Sequence, residues 1–189
     1  VSPADLDALL RDLLGMVHEG DIVVLAGSLP QGAPQDTYRV WTAACREKGA
    51  RVCLDADGVL LAEGLKAAPY LIKPNEDELS RLVGHRLTDT DELIAEGRRL
   101  LKGGVTRVVI SLGERGALYL RRNEVLYAEG LSVPVGSTVG AGDSVVAALA
   151  YADSLGMSDE DAVRLSTATG AANVMCSGTQ PAEREAVEK

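Results

Sequence analysis

One glycine-rich stretch of the chain, residues 136–144, has the composition of a phosphate-binding loop. It runs directly into the small apolar residues 145–150, which predict a buried helix. Glycine lets the backbone bend where a Cβ would clash, and the free N–H groups and dipole of a helix start attract anions. The backbone N–H groups of Gly140, Ala141 and Gly142 are therefore predicted to hold a phosphoryl group.

The carboxylate of Asp143 falls in the first turn of that predicted helix. Beside a phosphate, a carboxylate repels the ligand unless a metal ion or a chemical task requires it. Phosphoryl transfer to an alcohol supplies such a task, since the carboxylate accepts the proton of the attacking hydroxyl. The alternative is a helix cap, which contributes about 0.5–2 kcal/mol. Spacing alone leaves both interpretations open.

A second group of polar residues, 73–78, follows a predicted strand. Lys73 places a cation at the strand end, and Asn75 and Glu78 lie three positions apart, so they share one helix face. Magnesium prefers few carboxylates together with waters and phosphate oxygens, which makes Asn75 and Glu78 candidates for a magnesium site. The same pair also fits a helix cap, in which case Lys73 is a solvated charge.

The full string of residues 137–144 resembles the C-terminal signature of the ribokinase-like (PfkB) carbohydrate kinases. The Pro-Asn-x-x-Glu order of residues 74–78 matches the same family without a gap. No Gly-Lys-Ser/Thr follows the glycines, so the loop is not a Walker A loop. Residues 111–117 resemble the family segment beside the nucleotide, and residues 27–32 resemble a loop that lines its sugar-phosphate site.

The resemblance implies an ATP- and magnesium-dependent kinase in which Asp143 is the catalytic base. It also implies that Asp143 and Ser28 contact the substrate, and that Asn75 and Glu78 hold the metal. Its motifs are most similar to those of members that act on ketohexose phosphates, so fructose 1-phosphate is the expected substrate. Family members often bind a monovalent cation as well, through backbone carbonyls. The residues that the resemblance assigns to the nucleotide are Lys73, Asn75, Glu78, Ser111, Gly113, Gly116, Thr138 and Asn173.

Other residues near these loops have both a functional and a purely structural interpretation. Arg115 either contacts the nucleotide phosphates or is solvated. Asp57 is better placed as the N-cap of the next helix than as a ligand, and Asp55 is a candidate supporting group behind the site. Residues 111–117 also fit an ordinary strand-to-turn sequence, and residues 27–32 fit a Gly/Pro turn.

Apolar strands alternate with amphipathic helices along the chain. Strands are predicted to start at Ile22, Val52, Tyr70 and Val105, and a short hairpin is predicted over residues 117–128. This order predicts a three-layer α/β/α fold with a mostly parallel sheet. Ligands of such sheets bind at the carboxyl ends of the strands. The loops expected at that edge are 27–32, 55–58, 73–78, 111–116 and 136–143.

Composition excludes several classes of protein. The net charge of −9, from 19 basic and 28 acidic residues, argues against nucleic acid and anionic membranes as partners. No apolar run approaches the roughly 20 residues of a membrane span, and no signal peptide is visible. Cys45, Cys53 and Cys176 are interpreted as reduced core thiols of a cytoplasmic protein. His18 and His85 have no partners at zinc-ligand spacing.

The resemblance covers residues 1–189 as a single domain but only the later part of the family fold. The family's N-terminal strands, its Gly-Gly sugar-binding segment and its small lid sheet have no counterpart in this sequence. We therefore expect the nucleotide-binding and catalytic portion of a kinase, incomplete by itself, that forms a homo-oligomer or self-associates through an uncovered sheet edge. The alternatives are an inactive nucleotide-binding or assembly module, a kinase for another sugar or nucleoside, and a purely structural fragment.

Overall fold

The apolar runs of the sequence pair into one sheet. The structure, a computed structural model, describes residues 1–188. The strands are β1 (Ile22–Ala26), β2 (Arg51–Asp55), β3 (Leu71–Ile72), β4 (Arg107–Ser111), β5 (Gly116–Arg121) and β6 (Glu124–Glu129). They lie side by side in chain order, with β1 to β4 parallel and β5 and β6 forming an antiparallel hairpin. The predicted mostly parallel sheet and its hairpin are confirmed.

Helices connect the strands and follow the hairpin. They are α1 (Pro3–Met16), α2 (Thr37–Glu47), α3 (Gly58–Leu65), α4 (Glu76–Val83), α5 (Thr90–Lys102), α6 (Ala141–Ser154), α7 (Asp159–Met175) and α8 (Arg184–Val187). The first helix begins with a capping box between Ser2 and Asp5. Within residues 1–188, every helix is too short or too polar to serve as a membrane span.

Alternate residues along the central strands supply two separate cores. In β2, Val52 and Leu54 face one core while Cys53 faces the other, because successive side chains of a strand point to opposite faces. The first core packs against α2 to α5, and the second packs against α6 and α7. The three-layer α/β/α arrangement is therefore confirmed, with α6 and α7 together on one face.

Strand β1 forms an open edge of the sheet. Within residues 1–188 its paired neighbour is β2 alone, and Val24 in its centre is 44% exposed. The unpaired N–H and C=O groups of an edge strand can pair with another chain. The expected uncovered edge is therefore present, while self-association through it stays a prediction.

A network of charged side chains holds the turn between α6 and α7 against the amino-terminal ends of the parallel strands. The Arg107 guanidinium lies 2.5 Å from a carboxylate oxygen of Asp153 and 3.0 Å from one of Asp159. Arg51 lies 3.6 Å from Asp153, and Arg121 lies 2.6 Å from Asp159. Arg107 is buried, and only 7% of the Asp153 side chain is exposed. These contacts hold the end of α6 and the start of α7 against β2, β4 and β5, far from the loops singled out above.

The three cysteines are free thiols. Cys45 and Cys53 are buried, as predicted, and burial raises the pKa of the Cys53 thiol to about 12. A thiol with so high a pKa is protonated and unreactive at neutral pH. Cys176 is only half-buried, because it lies just after α7 rather than within the core.

Candidate active site

The glycine-rich loop is tied to the end of α7. The backbone N–H groups of Gly136 and Ser137 both donate to the Val174 carbonyl, at 2.8 and 3.1 Å. A Cβ at position 136 would lie 2.5 Å from the Cys176 carbonyl oxygen, so this approach requires glycine. At the other end of the loop, Gly140 has a left-handed φ of 83° and is the N-cap of α6.

The start of α6 presents free backbone N–H groups. Within residues 1–188, the N–H groups of Gly140, Gly142 and Asp143 have no acceptor, while that of Ala141 makes a long bond of 3.4 Å to the Thr138 carbonyl. Thr138 itself is exposed in the loop. Free donors at a helix start are the groups that bind anions. They support the predicted phosphate site, with Ala141 as the weakest of the three predicted donors.

Asp143 is exposed in the first turn of α6. The N-cap of this helix is Gly140, and no side chain caps it, so the interpretation of Asp143 as a cap is wrong. A buried lysine lies nearby but pairs with a different carboxylate, as described next. The Asp143 carboxylate is therefore free to accept a proton from a hydroxyl group.

Lys73 is buried, with 7% of its surface exposed, so the interpretation as a solvated charge is wrong. Its ammonium lies 3.4 Å from a carboxylate oxygen of Asp55, and a Cβ added at Gly142 would lie 2.8 Å from the ammonium nitrogen. Burial raises the pKa of the Asp55 carboxyl; Lys73 opposes this, and the negative charges of Asp143 and Glu78 add to it. Lys73 and Asp55 therefore belong to the same site as the start of α6.

Asn75 and Glu78 form the capping box of α4. The Glu78 N–H donates to Asn75 Oδ1 at 2.8 Å, and the Asn75 N–H donates to Glu78 Oε2 at 2.9 Å. The cap interpretation is thus what the structure shows, but Glu78 Oε1 takes no part in it. A bridge between Asn75 and Ser111 brings β4 to the same place.

The donor set at Asn75 and Glu78 restricts what metal could bind. Within residues 1–188, no three His, Cys, Asp or Glu side chains are grouped closely enough to enclose a metal ion. A single half-buried carboxylate fits magnesium, which keeps most of its waters and binds phosphate oxygens. The residues therefore fit a magnesium ion reached through its waters and the phosphates of a nucleotide.

The two glycines of the 111–117 segment differ in what they do. Gly116 has a φ of 99°, and a Cβ there would lie 2.0 Å from the Ala128 carbonyl oxygen. Gly113 has a φ of 62° with open space around it. The lack of a side chain at Gly116 is therefore required by the close approach of β6, whereas no neighbouring atom requires it at Gly113.

This difference predicts unequal effects of alanine at the two positions. Gly116→Ala is expected to lower the free energy of unfolding by about 3 kcal/mol or more, because strain and a backbone clash combine. Gly113→Ala serves as the control and is expected to cost about 1–2 kcal/mol, the cost of a left-handed residue. Urea unfolding measures both values. Equal destabilisation by the two variants would contradict this account of Gly116.

Two charged residues near the site have structural partners instead. Arg115 pairs with Glu76 on α4 at 2.5 Å across an exposed surface. Asp57 occupies the N-cap position of α3 but makes no cap hydrogen bond there. Its carboxylate accepts a hydrogen bond from Arg81 at 2.9 Å instead, so the prediction of a side-chain cap is wrong. Arg81, which lies on α4, draws the carboxylate away from α3.

The remaining predicted residues lie at the same edge of the sheet. The Gly27 N–H donates to the Asp55 carbonyl at 3.0 Å, which places the loop with exposed Ser28 beside Asp55. Asn173, buried near the end of α7, lies close to Gly140, because a Cβ added at Gly140 would be 3.6 Å from Asn173 Oδ1. Within residues 1–188 that oxygen has no hydrogen-bond partner. The structure thus brings the ends of β1 to β4, the start of α6 and the end of α7 together.

Sequence reasoning missed one concave feature altogether. A groove of about 580 Å³ separates β6 from α7 and is lined by Tyr127, Leu131, Val163 and Thr167, among others. None of the predicted site residues lines it. No motif marks it, because its apolar residues belong to the ordinary periodicity of one strand and one helix.

Comparisons with known proteins agree with this geometry. Residues 2–186 match the model of the pfkB family carbohydrate kinases. The 1-phosphofructokinase of Haemophilus influenzae is 38% identical over 172 residues, which cover 90% of this chain and 55% of that protein. The 1-phosphofructokinase of Rhodobacter capsulatus is 41% identical over 167 residues, covering 88% and 53%. The chain therefore spans about half the length of these relatives.

Solved structures extend the likeness to three dimensions. Phosphofructokinase-2 from Escherichia coli, crystallised in complex with potassium, superimposes with a TM-score of 0.94 at 31% identity over 100% of this chain and 61% of its own. The ribokinase of Arabidopsis thaliana, complexed with ribose and ATP, gives a TM-score of 0.77 at 27% identity over 100% and 58%. With a family match across nearly its whole length and a ribokinase-like fold, this chain belongs to the pfkB family of carbohydrate kinases.

Proposed function

We propose that the protein acts in ATP-dependent phosphorylation of a ketohexose phosphate, with fructose 1-phosphate as the substrate. One observation carries the proposal: the exposed Asp143 carboxylate, the free N–H groups at the start of α6 and the buried Lys73 ammonium meet at one edge of the sheet. A base, an anion site and a cation are the parts that phosphoryl transfer requires. The 1-phosphofructokinase relatives support the choice of sugar phosphate.

In this mechanism Asp143 accepts the proton of the attacking sugar hydroxyl. The oxygen–phosphorus bond to the sugar forms as the bond to the ADP oxygen breaks, and the N–H groups of Gly140 and Gly142 donate to the phosphoryl oxygens. These donors are fixed by the loop before the reaction, which is the condition for electrostatic stabilisation of a transition state. Because such a transition state is loose, the proton leaves late and a weak base suffices.

The other residues are assigned to the two sides of the transferred group. Asn75 and Glu78 would hold a magnesium ion, which would neutralise phosphate charge, and Ser111 contacts the nucleotide beside them. Ser28 faces the sugar, and Gly113, Thr138 and Asn173 contact the nucleotide. Gly116 contacts the nucleotide through its backbone, because the close approach of β6 already accounts for the lack of a side chain at this position.

We further propose that residues 1–189 form the nucleotide-binding and catalytic portion of the kinase, since the chain matches about half of each relative. A monovalent cation held by backbone carbonyls is supported by the potassium complex of the Escherichia coli enzyme. A homo-oligomer is supported by the open edge of β1 and by the tetrameric inhibited form of that enzyme. Cytoplasmic location stays a prediction.

The proposal predicts separate outcomes for binding and transfer. Titration calorimetry should show MgATP binding to the 189-residue chain. Transfer to fructose 1-phosphate should be far slower for this chain than for a chimera that adds the uncovered part of the Haemophilus influenzae relative. Orientation of the hydroxyl can contribute about 7–11 kcal/mol to the barrier, and this chain spans only about half the length of the relatives.

Each alternative has its own signature in these measurements. MgATP binding without transfer by the chimera would indicate an inactive nucleotide-binding module. Transfer to ribose in preference to fructose 1-phosphate would assign a different sugar. Failure of the folded chain to bind MgATP would contradict the proposed function.

Glu78→Gln is expected to raise the magnesium concentration needed for half-maximal ATP binding several-fold. Glutamine keeps the oxygen that caps α4 but removes the negative charge that faces the metal. The melting temperature in metal-free buffer should therefore stay close to that of the wild type. Magnesium titrations with ATP, followed by calorimetry, measure the shift; an unchanged requirement together with lower stability would restrict Glu78 to capping.

A further inference from the structure

We propose that Asp55 is a positioning residue of this site, which holds the Lys73 ammonium against the start of α6 and away from Asp143. The inference rests on the proposed function and adds a residue with no assigned part in it. Its first support is sheet register. Cys53 pairs with Leu71 and Leu54 with Ile72, so Asp55 and Lys73 are the next neighbours along the two parallel strands.

Side-chain alternation places this pair on the face that α6 covers. Asp55 and Lys73 are each two residues beyond Cys53 and Leu71, which belong to the core beneath α6 and α7. Only 8% of the Lys73 side chain and 17% of the Asp55 side chain are exposed. A buried ammonium without a partner is costly, and within residues 1–188 Asp55 is the one carboxylate within 4 Å of it. Asp55 therefore fixes where a long and flexible side chain ends.

The Lys73 ammonium lies against a helix start, a position that favours the binding of a phosphoryl group between them. A Cβ at Gly142 would lie 2.8 Å from Lys73 Nζ and 3.2 Å from Cε, so the side chain ends directly against the first turn of α6. The start of a helix carries positive partial charge and repels a cation. Two positive groups thus converge on one point, and a phosphoryl group placed there would interact favourably with both. A side chain at position 142 would therefore displace the ammonium.

The pairing also keeps the proposed base free. The negative charges of Asp143 and Glu78 both act on the Asp55 carboxyl, so the three carboxylates lie near one another. Lys73 pairs with Asp55, and within residues 1–188 Asp143 has no ion-pair partner. If Asp55 lost its charge, the ammonium would turn towards the remaining carboxylates, Asp143 among them. Both the phosphoryl contact and the base would then be impaired.

The test compares Asp55→Asn with Asp57→Asn in the 189-residue chain. Asp57 lies two residues further on, is exposed and pairs with Arg81 on the surface, so its variant removes an equal charge without touching Lys73. Asp55→Asn should weaken MgATP binding about tenfold or more and MgADP binding much less, because a charge-assisted contact to the transferred group is lost. Asp57→Asn should leave both affinities unchanged.

A second variant disturbs the contact between the Lys73 ammonium and α6 by a change in α6. Gly142→Ala keeps the backbone N–H and favours the helix, yet its Cβ displaces the ammonium. It should reproduce the selective loss of MgATP affinity, and the Asp55→Asn/Gly142→Ala double variant should be no weaker than either single one. Additive losses, or loss of ATP and ADP binding alike, would overturn the proposal. This variant also carries the test if Asp55→Asn does not fold.

A measurement without nucleotide separates this inference from the proposed function. In ¹H–¹⁵N spectra of the free chain, Asp55→Asn should shift the Gly142 amide signal, and Asp57→Asn should not. If the wild-type chain fails to bind MgATP while the Gly142 signal shifts as expected, the function fails and the positioning by Asp55 holds. An unmoved Gly142 signal would overturn the positioning whatever the chain binds.

Discussion

Asp143→Asn is expected to lower kcat for phosphoryl transfer by about 10²–10⁴, the usual loss when a general base is removed. MgATP affinity should stay within a few-fold, because asparagine keeps the shape of the side chain and leaves the N–H groups at the start of α6 in place. The chimera described above supplies the turnover assay, and calorimetry supplies the affinity. The separation of kcat from affinity distinguishes a base from a structural carboxylate.

Asp161→Asn is a matched control for this variant. Asp161 is the third residue of α7 after the N-cap Ser158, as Asp143 is the third residue of α6 after Gly140. Both carboxylates lie in the first turn of a helix, but Asp161 accepts a hydrogen bond from the Ser158 hydroxyl at 2.7 Å and lies at the opposite end of the α6–α7 pair. Its variant should change stability slightly and kcat not at all. A chimera with Asp143→Asn that turns over at the wild-type rate would remove Asp143 from the mechanism.

The fold could be predicted because its signals are local. The strand at Ile22–Ala26 is a continuous apolar run, and the capping box at Ser2 marks the start of the first helix. Alternation of strands and helices then determines the layers, since parallel strands need crossover helices. The predicted starts of the four parallel strands differ from the observed ones by at most two residues, the range over which such assignments vary.

The candidate site could be predicted only as far as its loops. Each loop follows a strand, so the parallel sheet brings Lys73, Asn75 and Ser111 to one edge. What each side chain contacts depends on neighbours distant in sequence: Asp57 turns to Arg81, and Gly116 is fixed by β6. Such partners have no spacing rule in a single sequence.

The charged network around Arg107 escaped prediction for the same reason. Arg107 meets Asp153 and Asp159, which lie 46 and 52 positions away along the chain. In the sequence Arg107 is a single charge within a predicted strand, and the two aspartates look like ordinary surface charges around a turn. Only the antiparallel pairing of α6 and α7 brings the two carboxylates to the start of β4. The network is thus a product of the fold and, once formed, a support for it.

Arg107→Met is expected to lower the free energy of unfolding by about 3–5 kcal/mol, the cost of breaking a buried ion pair by removing one partner. Arg107 is 8% exposed, and its loss leaves Arg51, at 3.6 Å, as the one ion-pair partner of Asp153 within residues 1–188; the Asp153 side chain is itself 7% exposed. Asp159 is less affected because it keeps Arg121 at 2.6 Å. For a chain of this size the melting temperature should fall by about 6–20 °C.

Two further variants show whether the unpaired Asp153 carboxylate causes the loss of stability. Arg164→Met removes an exposed arginine whose carboxylate partners lie 3.6 and 3.9 Å away, and it should cost less than about 1 kcal/mol. The double variant Arg107→Met/Asp153→Leu removes both buried charges, and it should recover at least half of the lost stability because apolar groups can replace a buried pair at little cost. Thermal and urea unfolding measure all three. A double variant less stable than Arg107→Met alone would show that packing by Asp153, rather than its uncompensated charge, determines the loss.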